Sequence, residues 1–178
     1  FTGFGRCGER VLSGTAAADG VVPDLLCVGK GLTAGFPLSA CIGTVDVMAA
    51  WGSSQGEALH TSTFLGHPVG CAAALAVIDL LDGGVLEQGR QLGAHMEATL
   101  LELAARRPDA FGAVRGLGAM RGLEVRDGRS MLQCRGLLQR GYLVLPAGLE
   151  GEVIGFTPPL VTTRTQWDGA VAALEASL

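Results

Sequence analysis

The chain has 178 residues, 48% of them hydrophobic and 17% charged, with a formal net charge of −4. A mildly acidic chain lacks the clustered positive charge that grips a phosphate backbone or lies on an anionic membrane, so neither is expected as a partner. Its apolar content is that of a chain that buries a core in one or two domains, not of a disordered one.

The sequence opens Phe1-Thr2-Gly3-Phe4-Gly5-Arg6, with neither an initiator Met nor the basic-then-apolar pattern of a signal peptide, and reads as part of a longer protein. From Val21 to Val28 a short apolar run closes at Gly29, the pattern of a buried strand in which Pro23 is tolerated only near the start. A Gly-rich stretch, Gly29 to Pro37, leads to a second apolar segment, Leu38 to Val45. A polar loop then runs from Gly52 to Pro68, whose proline suits the first turn of a helix. That helix, apolar on most faces, is expected to be buried and to stop at Gly83-Gly84.

Val85, Leu92, Met96, Leu100 and Leu103 keep helical spacing, with Arg106, Arg107 and Pro108 beyond the end. From Val114 to Val125 alternation predicts one strand, its apolar side interrupted by Arg121. Asp127 to Arg140 predicts a helix ended by Gly141. Tyr142 to Leu145 reads as a strand stopped by Pro146, and Val153 to Phe156 as another before Pro158-Pro159. Thr165 with Asp168 predicts the capped start of a last helix carrying Trp167, Val171, Leu174 and Leu178. Helix and strand are mixed, so the class is α/β, with a boundary near Gly83-Gly84.

The five cysteines form no C-x-x-C pair, and His60, His67 and His95 lack ligand spacing, so reduced cytoplasmic thiols and no metal site are expected. The longest apolar run, Cys71 to Ile78, is well short of the roughly 20 residues that cross a bilayer.

Twelve of the thirteen basic residues are Arg, leaving Lys30 as the one lysine, between glycines at the end of a strand. An amine attacks an aldehyde to form a Schiff base only when neutral, a form that desolvation favours. Gly3-Phe4-Gly5-Arg6-Cys7-Gly8 satisfies G-x-G-x-x-G, but no helix signal follows it and the chain has no H-R-D or D-F-G. Gly29-Lys30 is no Walker loop, because Gly31 stands where Ser or Thr is needed. The loop from His60 to Pro68 offers hydroxyls and amides ahead of a helix start, which suits either an anion or ordinary capping.

Thr2-Gly3-Phe4-Gly5-Arg6, Pro23-Asp24, Gly29-Lys30-Gly31-Leu32, Gly35-Phe36-Pro37-Leu38, Ser62-Thr63-Phe64 with Gly66-His67-Pro68, Val114-Arg115-Gly116 with Gly118 and Met120, and Pro158-Pro159-Leu160 together resemble, in order, the class III pyridoxal-phosphate-dependent aminotransferases. The resemblance implies a pyridoxal-phosphate-dependent transferase of fold type I. Residues 1–83 would be the end of the cofactor-binding large domain and 84–178 the small C-terminal domain. It implies that Lys30 holds pyridoxal 5'-phosphate as a Schiff base and then moves the proton at the substrate α-carbon. Thr63 would bind the cofactor phosphate from the neighbouring subunit of a homodimer, and the reaction would pass an amino group from an amine or amino acid to a 2-oxo acid. Arg6 and Arg115 are expected to be structural.

The sequence departs from the family pattern at three places. Gly155 stands where an arginine often receives the substrate carboxylate, so either the donor needs no clamp there or another arginine supplies it. His67 replaces the usual Asn, and Leu65 the usual Gly. The acidic residue for the pyridine nitrogen and the phosphate-binding turn would both precede Phe1, so this chain alone is expected to have negligible transaminase activity. An aminomutase or decarboxylase on the same fold, or a silent dimerisation module, are the alternatives.

Overall fold

The computed structural model describes residues 1–11 and 19–178. Strand β1 (Leu25–Val28) pairs antiparallel with β2 (Ala40–Gly43), Cys27 opposite Cys41. Between them lie a single 3-10 turn, Lys30–Leu32, and an irregular loop. The strand is shorter than the apolar run from Val21 and is not buried: Leu25 and Val22 are exposed, because among the described residues nothing covers that side of the two-stranded sheet. A short helix α1 (Val45–Met48), capped by the Thr44 hydroxyl, follows. Residues 52–67 then carry no helix or strand.

Helix α2 (Pro68–Leu80) starts at its proline, as the fixed φ and missing N–H of that residue favour. Two expectations fail here. Only Gly70 and Ala74 of α2 are buried, so its apolar faces are open. The helix also does not stop at Gly83-Gly84: it passes through one π turn, Leu81–Val85, into α3 (Leu86–Arg106). Gly84, at φ 117°, takes the left-handed kink that a side chain resists. Joined through the kink, Pro68–Arg106 spans 39 residues, by length and composition alone enough to cross a bilayer. Its second half instead buries Leu92, Met96, Leu100 and Leu103 in a protein core.

The expected single strand from Val114 to Val125 is a hairpin. β3 (Phe111–Leu117) turns at Gly118-Ala119 into β4 (Met120–Val125). Gly116 and Gly118 both have positive φ, and this turn chemistry breaks the run. The sheet order is β3-β4-β6-β5, all pairs antiparallel, with β5 (Leu145–Ala147) and β6 (Val153–Phe156). Pro146 lies inside β5 rather than ending it, as an edge strand allows. Helix α4 (Ser130–Gln139) begins after a turn in which Asp127 has φ 64°. Helix α5 (Arg164–Glu175) is capped two residues earlier than expected, by a capping box of Thr163 and Gln166.

Leu123, Val125, Ile154 and Phe156 of the sheet face Met96, Leu100 and Leu103 of α3, Leu137 of α4, and Trp167 and Leu174 of α5, all in one cluster. Trp167 packs edge-on to Phe156 at 5.3 Å and donates its indole N–H to Thr99 at 2.7 Å, so its one polar atom is satisfied. Arg121, which interrupts the apolar face of β4, is itself buried. It is held by a two-pronged contact with Glu97, 3.1 and 3.0 Å, and by the carbonyls of Gly93, Gly116 and Gly118.

Candidate active site

β1 delivers Lys30. Gly29 continues the strand in extended geometry, and Lys30 then turns left-handed at φ 41°, a conformation uncommon for a residue with a side chain. The turn closes on a hydrogen bond from Leu32 N–H to Gly29 C=O, 2.9 Å. A second turn follows, in which the buried Thr33 hydroxyl donates to the Phe36 carbonyl while Ala34 and Gly35 take positive φ. Gly31 is needed for close approach, since a Cβ there would lie 3.3 Å from the Phe4 side chain. The Lys30 ammonium stands 4.1 Å over the centroid of the Phe1 ring, a cation–π contact. Against expectation Lys30 is exposed, for the same reason that β1 is.

Lys30 and Arg6 are the charged residues among those lining a cavity of about 680 Å³. Its other walls are largely apolar: Phe4 and Phe36, Val77 and Leu81 from α2 and the π turn, and Leu160 from the loop after β6. The cavity therefore lies where the N-terminal segment, the Lys30 turn, the kinked helix and the Pro158–Val161 loop converge. No Asp or Glu lines it among the described residues.

Arg6 ties these parts together. Its Nη1 donates to the carbonyls of Ala119, 3.2 Å, and Pro158, and its own carbonyl accepts from Ala119 N–H at 2.9 Å. Burial lowers its pKa from the ordinary arginine value, opposed in part by the nearby Cys7. Arg115, by contrast, lies on the exposed side of β3 beside Glu124 at 3.6 Å.

Thr63 is not brought to Lys30. It occupies an exposed turn, framed by hydrogen bonds from Leu65 N–H to Ser62 C=O and His67 N–H to Phe64 C=O, and it lines neither the Lys30 cavity nor the smaller one behind β1. Gly155 sits in β6 opposite Gly122 and Leu145, and a Cβ there would meet Ala147 Cβ and the Leu145 carbonyl at 3.4 Å. The role of Phe1 beneath Lys30 and the clasp made by Arg6 were not foreseen. Arg6 was expected to be structural, but its partners, more than a hundred residues away, could not be named from the G-F-G-R segment.

The family model for class-III aminotransferases matches residues 1–178. An uncharacterized aminotransferase of Sinorhizobium fredii is 37% identical over 99% of this chain and 40% of its own length. The acetylornithine aminotransferase of Agrobacterium fabrum is 36% identical over 99% and 42%. An amine transaminase from an uncultivated Pseudomonas species, solved in its PLP-bound form, superposes with a TM-score of 0.85 at 34% identity, over 99% of this chain and 42% of that one. The chain thus spans about 40% of the length of the curated relatives it matches. On the strength of a match along its whole length, it belongs to the class-III aminotransferase family.

Proposed function

We propose that the protein carrying this chain is a pyridoxal-phosphate-dependent aminotransferase with Lys30 as its catalytic lysine. The observation that carries the reading is the placement of the one lysine of the chain, at a strand end, in a strained turn, on the wall of a cavity large enough for a cofactor and substrate. A cofactor aldehyde fits the residues present: an amine lines the cavity, Gly31 keeps the backbone beside it low, and the remaining walls are largely apolar.

When bound, the cofactor supplies an electron sink for the pair left at the substrate α-carbon. This chain would supply the base: the Lys30 Nζ, as a free amine, would take the proton from the substrate α-carbon and hold it for return. The exposed turn holding Thr63 is available to a second subunit, which supports a homodimer in which the Thr63 hydroxyl binds the cofactor phosphate of its neighbour. Residues 1–83 would then belong to the cofactor-binding domain and 84–178 to the small domain, the two meeting at the Gly84 kink. Widely spaced cysteines with no C-x-x-C pair accord with a cytoplasmic setting. The substrates are an amine or amino acid and a 2-oxo acid.

Borohydride reduction of the full-length protein with pyridoxal phosphate, followed by peptide mapping, tests the assignment. Within residues 1–178 Lys30 is the one side-chain amine that can be labelled. Label on Lys30, lost in Lys30→Ala together with turnover, is the expected result. A full-length protein left unlabelled at Lys30 would be a silent module on the same fold. The 178-residue chain alone is expected to show negligible turnover, because among the described residues no carboxylate lines the cavity to hold the pyridine nitrogen protonated.

A further inference from the structure

We propose that Cys27 and Cys41 are an oxidisable dithiol, which an organic hydroperoxide closes to a cross-strand disulfide encircling the Lys30 turn. The proposal does not rest on the reading of Lys30 as catalytic.

Cys27 and Cys41 are Cα partners in the β1–β2 ladder, so their side chains leave the same face. The ladder bond from Thr44 N–H to Asp24 C=O, 3.3 Å, fixes which pairs are hydrogen-bonded. The two kinds of pair alternate, and Cys27–Cys41 lies three along from Asp24–Thr44. It is therefore a non-hydrogen-bonded pair, the kind that brings side chains closest. Opposed residues lie about 4.5–5.5 Å apart at Cα, inside the range of about 4.4–6.8 Å that a disulfide spans. At the next pair of the same kind a Cβ on Gly29 would stand 3.5 Å from Ser39 Cβ, so the strands have not splayed. The two thiols are already in hydrogen-bonding contact. Cys134 is buried, and neither it nor Cys7 nor Cys71 belongs to this ladder.

Both thiols are exposed among the described residues. Cys27 also borders the smaller cavity, about 210 Å³, with Phe1, Val21 and Pro23 among its apolar walls, which suits an organic peroxide. Cys41 does not border it, and desolvation, then the contact with Cys27, holds the proton on Cys41. Cys27 is accordingly the attacking sulfur and Cys41 the resolving one. Cys27 takes the outer oxygen of the hydroperoxide: the O–O bond breaks, an S–O bond forms, and the alcohol leaves with the thiol proton. The Cys41 sulfur then attacks the Cys27 sulfur, the S–O bond breaks, and hydroxide leaves with the Cys41 proton as water. Two electrons pass from the dithiol to the peroxide, and a dithiol reductant returns them. The ring so closed, residues 27–41, contains Lys30 and the left-handed Ala34 and Gly35. A ladder of two strands is marginal by itself, so the bond restrains the turn that presents Lys30.

Treatment of the full-length protein with tert-butyl hydroperoxide, followed by thiol capping and peptide mapping, tests this. The peptides bearing Cys27 and Cys41 should be joined, two hydrogen masses lighter than the reduced pair, and should separate on adding dithiothreitol. Cys41→Ser should leave Cys27 as a sulfenic acid that dimedone traps, whereas Cys27→Ser should leave Cys41 untrapped. Amide exchange over residues 29–39 should slow several-fold on oxidation of the wild type and in neither variant. Should a variant not fold, the wild-type map and exchange decide alone. No joined peptide, either cysteine joined to a different one, dimedone on Cys41, or exchange unchanged by oxidation would each overturn the proposal. Lys30→Ala should still form the cross-link, so a failure of the Lys30 reading shows only in the borohydride label.

Discussion

Gly93 and Gly118 meet backbone to backbone: a methyl group on Gly93 would lie 2.3 Å from the Gly118 carbonyl carbon. Gly118 is in turn pressed against the N-terminal segment, where its own Cβ would fall 2.7 Å from the Arg6 carbonyl oxygen. Helix α3, the β3–β4 turn and the segment bearing Arg6 are therefore stacked with no side chain between them.

Gly93→Ala should for that reason destabilise the protein, although alanine is the better helix former by about 1 kcal/mol. The obstructing atoms are backbone and cannot rotate away, so overpacking of about 3 kcal/mol outweighs the propensity gain. Urea unfolding should show a net loss of about 2 kcal/mol. A gain in stability would mean that the turn yields.

The two glycines at the kink should respond in opposite directions. Gly83 has open space around it and ordinary φ, so Gly83→Ala should stabilise by about 0.5 kcal/mol. Gly84, at φ 117°, has equal space but a backbone that resists a side chain, and Gly84→Ala should cost about 1–2 kcal/mol. Thermal unfolding of the pair checks this with no change of surroundings to confuse it.

Glu97 and Arg121 form the one ion pair in which the cation is buried among the described residues, with side-chain exposures of 50% and 6%. Replacing Glu97 by Ala leaves the guanidinium inside with carbonyls only, a loss of about 2 kcal/mol, reduced from the fully buried case because Glu97 is itself half in solvent. Replacing Arg121 by Met in the same background should recover part of that loss, since the stranded charge is gone. Equal stability of the single and double variants in denaturant unfolding would contradict this.

Burial pushes the Cys134 thiol above its ordinary pKa, so the folded protein holds that proton longer than the unfolded chain does. The stability tied to it is complete below the ordinary thiol value of about 8.5 and is lost as pH rises through the shifted value. Desolvation, and then the contact with Cys27 across the β1–β2 ladder, move Cys41 the same way. Comparing the wild type with Cys134→Ala between pH 8 and pH 10 therefore isolates the buried thiol: the variant should lose less stability over that range.

Local chemistry was legible in the sequence wherever one element decided it. Pro68 opens α2, the spacing of Leu92, Met96, Leu100 and Leu103 lays out α3, and β6 keeps its expected bounds. What stayed hidden depends on partners distant along the chain. The alternation from Val114 to Val125 concealed a turn because Gly118 looks like any small residue in a strand until the Arg6 backbone is packed on it. Arg121 looked like a break in an apolar face because its carboxylate comes from another element. Burial of β1 and α2 was over-read for the opposite reason: their apolar residues were counted, but most of them stay uncovered by the other described residues. Within the site, Lys30 was visible from its rarity, whereas Arg6 was one arginine among twelve until its bonds to Ala119 and Pro158 set it apart.

The kink at Gly84 divides one continuous helix between two environments. Beyond it α3 is held by Leu92, Met96, Leu100 and Leu103 in the core, whereas before it α2 buries only Gly70 and Ala74. Leu81 and Val85, on either side of the kink, line the Lys30 cavity. One wall of that cavity is therefore anchored to the core on one side and continues into an uncovered helix on the other.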